Sequence, residues 1–391
     1  MPKILAVFGT RPEAIKMAPV VKALAGTGGL EPITVVTAQH REMLDQVLGL
    51  FSLHPDYDLD IMKPRQSLSD VVVRALPGLE EVIAGEKPDA VLVQGDTTTA
   101  FAAALAAYYR QIPVGHVEAG LRTGKKYEPF PEEMNRRLIG ALADWHFAPT
   151  ANARQNLLRE GVPDQQIFVT GNTVIDAVRS VTRDDYRFTT PQLAELDFAR
   201  QRVLLVTAHR RENWGEALEA ICGALTDLVG AFKDVTVVFP VHKNPVVRET
   251  VERRLGGRER VVLTEPLDYG ELANLLARCT LVLTDSGGLQ EEAPGFGRPV
   301  LVLRNVTERP EGEEAGALKL VGTYRHAIVL SAAELLTDDK AYAAMARAVN
   351  PFGDGQAAQR IACILAYHFG LADRLPEPFA PAARPDSLTT S

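Results

Sequence analysis

Residues 281–292, LVLTDSGGLQEE, join an apolar run, a turn with two adjacent glycines and the start of a helix. Backbone N–H groups of such a turn, together with the dipole of the following helix, suit a diphosphate. An acid further into that helix is wrong for phosphate, but it suits the two hydroxyl groups of a ribose. An arginine downstream adds a cation. The segment therefore predicts a nucleotide site formed by Ser286, Gly287, Gly288, Glu292 and Arg309.

Other basic side chains also stand next to apolar runs. His209 and Arg210 follow one such run and His242 follows another, a placement that suits an anionic ligand. Near the N-terminus, GTRPEAIK puts Arg11 and Lys16 in the first turns of a helix, which favours an anion as well. A capped helix with surface cations explains that last segment equally well.

Three segments carry acids at comparable places, namely Asp96 in QGDTTTA, Glu118 in HVEAGLR and Glu132 in PFPEEMNR. A charge at the end of a buried strand is costly unless it is paired or used. Structural alternatives exist for each acid. Asp96 is also a good helix N-cap, Arg122 is a possible salt-bridge partner of Glu118, and an acid in a first turn favours the helix dipole.

The elements that must position these residues alternate along the chain. Short, continuous apolar runs separated by helical patterns are typical of parallel strands covered on both faces. The predicted strands are Lys3–Phe8, Pro32–Ala38, Asp89–Gln94, Pro113–Glu118, Trp145–Ala148 and Gln166–Thr170, then Arg202–Ala208, Val235–Val241, Arg260–Thr264, Thr280–Thr284, Pro299–Leu303 and Ala327–Leu330. We expect two doubly wound Rossmann-like domains, residues 1–180 and 181–354, with the ligand in a cleft between them.

Composition argues against several classes of protein. The 391 residues include 42 Lys plus Arg and 50 Asp plus Glu, and the net charge of −8 disfavours nucleic-acid binding. The three cysteines have no metal-type spacing, which fits a reducing compartment. No apolar stretch approaches the length of a membrane span of about 18 residues, and the N-terminus does not resemble a signal peptide. We expect a cytoplasmic protein, with a disordered tail over residues 374–391.

Eight segments in order resemble the non-hydrolysing UDP-N-acetylglucosamine 2-epimerases, over about residues 3–370. They are FGTRPEAIKMAPV, QGDTTTA, HVEAGLRTG, PFPEEMNR, GNTVIDA, TAHRREN, FPVHKNP and TDSGGLQEEAPGFGRPVLVLRNVTERPE. The resemblance implies a GT-B fold, in which C-terminal helices, here about residues 355–371, complete the first domain. It also implies a homodimer that needs no metal and no nicotinamide. The implied reaction interconverts UDP-GlcNAc and UDP-ManNAc for bacterial surface polysaccharides.

The resemblance also assigns roles to residues. The family's active-site positions match Arg11, Lys16, Asp96, Glu118, Glu132 and His209, of which Arg11, Lys16 and His209 also contact the substrate. Its nucleotide contacts match Ser286, Gly287, Gly288, Glu292 and Arg309. This chain departs from the family in one stretch, because Leu267 and Leu272 stand where relatives often have Gln and Phe near the uracil. Uracil selectivity is therefore less firmly implied than phosphate binding.

The family's chemistry is an elimination, because the proton on carbon 2 of the sugar is not acidic. UDP leaves as a base takes that proton, 2-acetamidoglucal forms, and UDP adds back as a proton arrives on the opposite face. Two faces need at least two proton-transfer groups, for which we expect Asp96, Glu118 and Glu132. The alternatives are a hydrolysing epimerase that releases UDP and N-acetylmannosamine, a GT-B glycosyltransferase, and a non-catalytic sensor of nucleotide sugars.

Some members of the resembled family bind a second UDP-GlcNAc as an activator. Here Gln39, Arg65, Arg210 and His242 are anion-binding residues left over after the active site is assigned, and they form a predicted effector site. Surface cations or interdomain salt bridges are the alternative interpretation. Glu42 replaces a Gln found in some effector-binding relatives, which argues against the effector.

Overall fold

The computed structural model describes residues 1–38, 41–63 and 66–381, the side chains of residues 41–43 excepted. The chain divides into two compact units. Unit 1 contains Met1–Ser180 and Phe352–Ala380, and unit 2 contains Val181–Pro351. Each unit is built around its own parallel sheet.

Unit 1 is a seven-stranded sheet in the order β3-β2-β1-β4-β5-β6-β7. Its strands are β1 (Lys3–Phe8), β2 (Glu31–Val36), β3 (Tyr57–Asp58), β4 (Ala90–Gln94), β5 (Val114–Val117), β6 (Trp145–Ala148) and β7 (Ile167–Val169). Its helices are α1 (Arg11–Gly26), α2 (Arg41–Leu50), α3 (Leu68–Glu86), α4 (Thr98–Tyr109), α5 (Glu132–Leu142), α6 (Ala151–Arg159) and α7 (Thr173–Val181). Strands such as β4 are buried at every position, which is why their sequence shows no alternation.

Unit 2 is a six-stranded sheet in the order β10-β9-β8-β11-β12-β13. Its strands are β8 (Arg202–Thr207), β9 (Val235–Pro240), β10 (Val261–Thr264), β11 (Leu281–Thr284), β12 (Val300–Val302) and β13 (Leu318–Leu320). Its helices are α8 (Pro191–Ala194), α9 (Glu216–Ala231), α10 (Pro245–Leu255), α11 (Tyr269–Arg278), α12 (Gly287–Glu292), α13 (Pro310–Glu314), α14 (Arg325–Thr337) and α15 (Asp339–Ala346). Every strand pair in both sheets is parallel, so the predicted pair of doubly wound α/β units is confirmed.

One predicted strand is wrong. Ala327–Leu330 lies in helix α14, and the sixth strand of the second sheet is Leu318–Leu320 instead. The buried residues of α14 include Ile328, Ser331, Ala332 and Leu335, which lie on one face at helical spacing. A run of four apolar residues does not by itself distinguish a strand from a buried helical turn.

The last helix of the chain belongs to unit 1. Helix α16 (Ala357–His368) begins where the backbone N–H groups of Ala357 and Ala358 donate to the Asp176 carboxylate, at 3.2 and 2.9 Å. Burial raises the pKa of Asp176 to about 6. Beyond the helix, Phe379 is buried and its N–H donates to the carbonyl of Val169 at 2.8 Å. Residues 382–391 of the predicted tail lie outside the described residues.

Candidate active site

In unit 1 the carboxyl ends of β1, β4 and β5 lie side by side, because these strands are neighbours in the sheet. Arg11 begins the helix after β1, Asp96 lies two residues beyond the end of β4, and Glu118 follows β5 directly. The backbone of Glu118 has a φ of 63°. That left-handed conformation costs a residue with a side chain about 1–2 kcal/mol, so it persists only where neighbouring contacts enforce it.

Two donors hold the carboxylate of Glu118. Its Oε2 accepts from Nζ of Lys16 on α1 and from Nε2 of Gln94 at 2.8 Å. The alternative partner suggested by the sequence, Arg122, is wrong, because Arg122 binds both oxygens of Glu160 at 2.9 and 2.7 Å. The predicted active-site pair of Lys16 and Glu118 therefore lies together at the end of β5.

Asp96 is held from helix α5. Its Oδ2 accepts from Arg136 at 2.5 Å, and its backbone carbonyl accepts from Nδ2 of Asn135 at 2.9 Å. The Asp96 side chain does not cap α4; Thr97 does, by accepting from the N–H of Ala100 at 3.0 Å. The N-cap interpretation of Asp96 is therefore wrong, and its carboxylate is directed to a cation instead.

The two adjacent acids at the start of α5 differ in their surroundings. Glu133 is fully buried and accepts the backbone N–H groups of Thr123 and Gly124 at 3.0 and 3.2 Å. Its role is to hold that loop. The Oε2 of Glu132 is also buried, but among the described residues it has no hydrogen-bond partner. A buried acceptor of this kind is costly, which marks Glu132 as a group with capacity for a ligand or proton.

Glu13 is a buried carboxylate that the sequence reasoning missed. Its Oε2 accepts from the N–H groups of Gly9 and Thr10, at 3.0 and 2.8 Å, and its Oε1 accepts from Thr97 at 2.5 Å. Burial raises the pKa of Glu13. The carboxylate ties the loop that carries Arg11 to the loop that carries Asp96. The GTRPE segment resembles a capping box, and that was the available signal.

A buried histidine, His116, contacts the loop that carries Asp96. Nε2 of His116 lies 2.7 Å from the carbonyl oxygen of Gly95, and the side chain is fully buried. Burial lowers the pKa of His116 to about 3, and it lowers the pKa of the neighbouring His146 to about 4. Both rings are therefore neutral in the folded protein at physiological pH.

Acid should destabilise unit 1 through these rings. The unfolded chain binds a proton at each histidine below about pH 6.5, but the folded chain does not until much lower pH. The free energy of unfolding should therefore fall as pH drops from about 6.5 toward 3. His116 alone accounts for about 2 kcal/mol between pH 6.5 and 5. Urea denaturation at pH 7 and pH 5, followed by Trp145 fluorescence in a Trp214→Phe background, measures this.

The matched comparison is His116→Gln against His54→Gln, since His54 is exposed. His116→Gln should be less stable at pH 7 but should lose less stability on acidification than the parent. His54→Gln should follow the parent. Equal pH dependence in all three proteins would contradict the assignment of acid lability to His116.

In unit 2 the neighbouring strands β8 and β11 bring His209 and Asp285 together. Nδ1 of His209 lies 2.9 Å from Oδ1 of Asp285, whose side chain is fully buried. Burial would raise the pKa of Asp285, but hydrogen bonds and charge from His209 and the N–H groups of the loop outweigh it and lower that pKa. The strand-end histidine is thus anchored by a carboxylate.

Two guanidinium groups lie over the glycine turn, which is the first turn of helix α12. A Cβ built on Gly287 would lie 3.6 Å from one terminal nitrogen of Arg309 and 3.8 Å from one of Arg210. Nε of Arg309 donates to the buried Glu291 at 2.5 Å, and Nε of Arg210 donates to the carbonyl of Asp285 at 3.2 Å. Both cations are held in place, and their terminal nitrogens face the turn predicted to bind phosphate.

A family model described as UDP-N-acetylglucosamine 2-epimerase matches residues 22–366, which is most of the chain. The chain belongs to the UDP-N-acetylglucosamine 2-epimerase family. It is 54% identical over 377 residues to the UDP-N-acetylglucosamine 2-epimerase of Bacillus subtilis, covering 96% of this chain and 98% of that one. It is 55% identical over 364 residues to the enzyme of the same name from Escherichia coli K12, with 92% and 97% covered.

A solved structure agrees with this placement in the epimerase family. The UDP-GlcNAc 2-epimerase of Neisseria meningitidis, crystallised with UDP-GlcNAc, has a TM-score of 0.84 and is 47% identical, over 93% of this chain and all of that one. The expected GT-B-like fold, with two parallel-sheet α/β units, is therefore shown. The resemblance found from the sequence motifs is confirmed.

The predicted site residues of this epimerase-family chain fall into two groups. Unit 1 gathers Asp96, Glu118 and Lys16 at adjacent strand ends, with Arg11 and Glu132 on the helices beside them. Unit 2 gathers His209, the Ser286–Gly288 turn and Arg309, and it places Glu292 at the end of α12, buried. The sequence reasoning missed Arg136, Gln94 and Asp285, which hold these groups in place. All three stand inside family-like segments, namely QGDTTTA, PFPEEMNR and the segment that begins TDSGG, and this was the available signal for them.

The predicted effector residues are only partly described. Gln39 and Arg65 lie outside the described residues. Arg210 lies over Gly287, and the ring of His242 stacks on that of His209 with centroids 5.8 Å apart. Arg210 is therefore close to the predicted phosphate-binding turn, and His242 lies beside His209.

Three further observations concern the uracil contacts, metal binding and membrane spans. Leu267 is buried, and Leu272 lies in the first turn of α11, so the apolar departure from the family stands beside a helix start. Within residues 1–38, 41–63 and 66–381, no group of three or more His, Cys, Asp or Glu side chains is placed to hold a metal ion. In the same part of the chain, every helix is too short or too polar to cross a membrane.

Proposed function

We propose that this chain is a non-hydrolysing UDP-N-acetylglucosamine 2-epimerase, an isomerase that interconverts UDP-GlcNAc and UDP-ManNAc. The observation that carries the proposal is the set of carboxylates at the strand ends of unit 1. Asp96 and Glu118 each contact a cation there, and Glu132 has an oxygen with no partner among the described residues. The relatives named UDP-N-acetylglucosamine 2-epimerase support the epimerase activity in general.

The proposed reaction is an elimination followed by an addition. The bond between carbon 1 and the UDP oxygen breaks, and UDP keeps its electron pair. A carboxylate takes the proton from carbon 2, and the electrons of that C–H bond form the double bond of 2-acetamidoglucal. UDP then adds back to carbon 1 while carbon 2 receives a proton on the opposite face. Each positioned acid or base contributes about 10²–10⁴ in rate.

In this scheme the acids of unit 1 transfer protons and the cations beside them set their orientation. Arg136 fixes Asp96, and Lys16 with Gln94 fixes Glu118, so that neither carboxylate must reorganise during the reaction. Glu132 is the third candidate. Arg11, at the first turn of α1, supplies positive charge for the phosphate that departs.

Unit 2 binds the nucleotide in this proposal. The guanidinium groups of Arg210 and Arg309 over Gly287 suit two phosphate oxygens. His209 adds a third donor, and Glu292 accepts from the ribose hydroxyls. Glycine at position 287 matters because a side chain there would occupy the space beneath both guanidinium groups.

Arg309→Ala should weaken the binding of UDP about ten- to a hundredfold, because a hydrogen bond to a charged group is worth about 1.5–3 kcal/mol. Isothermal titration calorimetry with UDP measures it. The change also leaves Glu291 buried without this partner. The double variant Arg309→Ala with Glu291→Gln should therefore lose the same affinity for UDP but be more stable to unfolding than Arg309→Ala alone. Arg202→Ala removes an arginine that binds Asp234, at the other end of β8, and is the control. Unchanged UDP affinity in Arg309→Ala would make Arg309 a structural residue.

The decisive experiment is NMR of UDP-GlcNAc incubated with the protein in D₂O, without added nicotinamide. Both UDP-GlcNAc and UDP-ManNAc should acquire deuterium at carbon 2. UDP-ManNAc that contains only protium would contradict the elimination. Free N-acetylmannosamine with UDP would favour the hydrolysing alternative. Unchanged UDP-GlcNAc that still binds would favour a glycosyltransferase awaiting an acceptor, or a sensor.

Activation by UDP-GlcNAc at a second site is a further part of the proposal. The closeness of Arg210 to the glycine turn, and of His242 to His209, supports an effector bound next to the substrate. The reverse reaction started from pure UDP-ManNAc should then show a lag that trace UDP-GlcNAc abolishes, and His242→Ala should remove that response. A linear start would contradict the second site.

The homodimer, the cytoplasmic location and the polysaccharide pathway stay predictions.

A further inference from the structure

Asp285, at the end of β11, is a fully buried carboxylate to which the proposed chemistry assigns no role. We infer that Asp285 is a positioning residue for His209. It fixes the ring so that Nδ1 donates to the carboxylate and Nε2 is the nitrogen offered to a phosphate oxygen. The inference rests on the proposed binding of a diphosphate in unit 2.

The two carboxylate oxygens of Asp285 have different partners. Oδ2 accepts three hydrogen bonds, from the backbone N–H groups of His209 and Arg210, both at 2.8 Å, and from Nδ2 of Asn213 at 3.0 Å. These donors anchor the loop after β8 and fix the rotation of the carboxylate. Oδ1 is thereby directed at Nδ1 of His209, 2.9 Å away.

Oδ1 is buried and accepts no other hydrogen bond among the described residues, so its 2.9 Å approach to Nδ1 of His209 decides which ring nitrogen carries the proton. A carboxylate oxygen only accepts, so Nδ1 must be the protonated nitrogen when the ring is neutral. Nε2 then lies on the opposite side of a ring whose side chain is 39% exposed. A phosphate oxygen also only accepts, so the ring binds it by taking a second proton on Nε2. The negative charge of Asp285 balances the imidazolium that results.

A purely structural role for Asp285 would need Oδ2 alone. The three donors on Oδ2 already hold the loop, and the side chain of Arg210 contacts the Asp285 backbone carbonyl, which no side-chain substitution removes. In Asp285→Asn the same three donors require the amide oxygen at the Oδ2 position. The amide NH₂ must then face Nδ1 of His209. That variant therefore reverses the single contact on which the inference depends and keeps the others.

The first measurement is the tautomer of His209 by long-range ¹H–¹⁵N correlation NMR, at a pH where the ring is neutral. The native protein should show the proton on Nδ1, and Asp285→Asn should show it on Nε2. A native ring protonated on Nε2 overturns the inference, and this result does not depend on whether the variant folds. An Asp285→Asn ring that keeps its proton on Nδ1 overturns it as well.

The second measurement is the affinity for UDP in a double-mutant cycle. Asp285→Asn should weaken UDP about tenfold, because a charge-assisted hydrogen bond to phosphate becomes a neutral one. Combined with His209→Gln, it should cost no more than His209→Gln alone, since Asp285 acts through that ring. The control is Asp234→Asn, an aspartate that binds Arg202 at the far end of β8 and should leave UDP affinity unchanged.

Additive losses in the double variant would show that Asp285 acts independently of His209 and would overturn the inference. None of these measurements involves turnover. A protein that has the expected tautomers but does not epimerise UDP-GlcNAc would contradict the proposed function while leaving the positioning role intact. Normal epimerisation in a protein with the opposite tautomer would support the proposed function and contradict the positioning role.

Discussion

Glu118→Gln is expected to lower kcat by about 10²–10⁴ while UDP still binds with near-native affinity. The glutamine keeps the size of the side chain and can still accept from Nζ of Lys16 and Nε2 of Gln94, so the local geometry should survive. What it loses is the ability to take a proton. Apart from Arg11, the proposed UDP contacts lie in unit 2, which is why affinity for UDP should separate from turnover.

The measurement is steady-state kinetics with UDP-GlcNAc alongside calorimetry with UDP. Glu160→Gln is the matched control, because Glu160 is another unit 1 glutamate that binds a basic residue, Arg122. It should retain nearly full turnover. A Glu118→Gln protein with near-native kcat would remove Glu118 from the proton-transfer set.

Asp96→Asn is expected to produce a loss of similar size, about 10²–10⁴ in kcat. The asparagine oxygen can still accept from Arg136, so the side chain should stay in place, and the carbonyl contact with Asn135 involves only backbone on the Asp96 side. Asp164→Asn is the control, since Asp164 pairs with Arg154 at 2.6 Å on the exposed surface of the same unit. Turnover equal to that of the control would leave Asp96 with a structural role only.

Deuterium exchange in these two variants would also assign each acid to a face of the sugar. A residue that serves the face of UDP-GlcNAc should, when changed, suppress deuterium in recovered UDP-GlcNAc more than in UDP-ManNAc. The other residue should show the opposite ratio. Equal ratios in both variants would indicate that one acid supports the other instead of acting on its own face.

Most strands were predictable because a strand that is buried on both faces has a continuous run of apolar residues in the sequence. Runs such as Lys3–Phe8 and Trp145–Ala148 have the same bounds in the structure. Ala327–Leu330 was misassigned because four apolar residues fit either a strand or a helical turn. The two-residue strand β3 and the three-residue strand β13 are too short to show any periodicity.

By itself, the sequence determined which residue types stand at the strand ends and in what order, and this was enough to place the chain in its family. Parallel strands bring their carboxyl ends to one edge, so Asp96 and Glu118 had to lie at the same edge of one sheet. The identity of their partners was decided only by the tertiary structure. Glu118 pairs with Lys16 of α1 and not with Arg122, whose guanidinium group binds Glu160.

The same holds for the carboxylates that act as supports. Glu133 and Asp285 are indistinguishable in the sequence from the proposed proton-transfer acids, since all stand at the ends of strands or the starts of helices. Glu13 has a sequence signal of its own, the capping box at the start of α1. These supporting carboxylates differ from the proton-transfer acids in how many donors surround them. Their donors include backbone N–H groups of loops, which lie 4 residues away for Glu13, 10 for Glu133 and 76 for Asp285. Hydrogen-bond saturation is a property of three-dimensional packing, and this is why only the folded chain separates an acid that holds a loop from one with capacity for a proton.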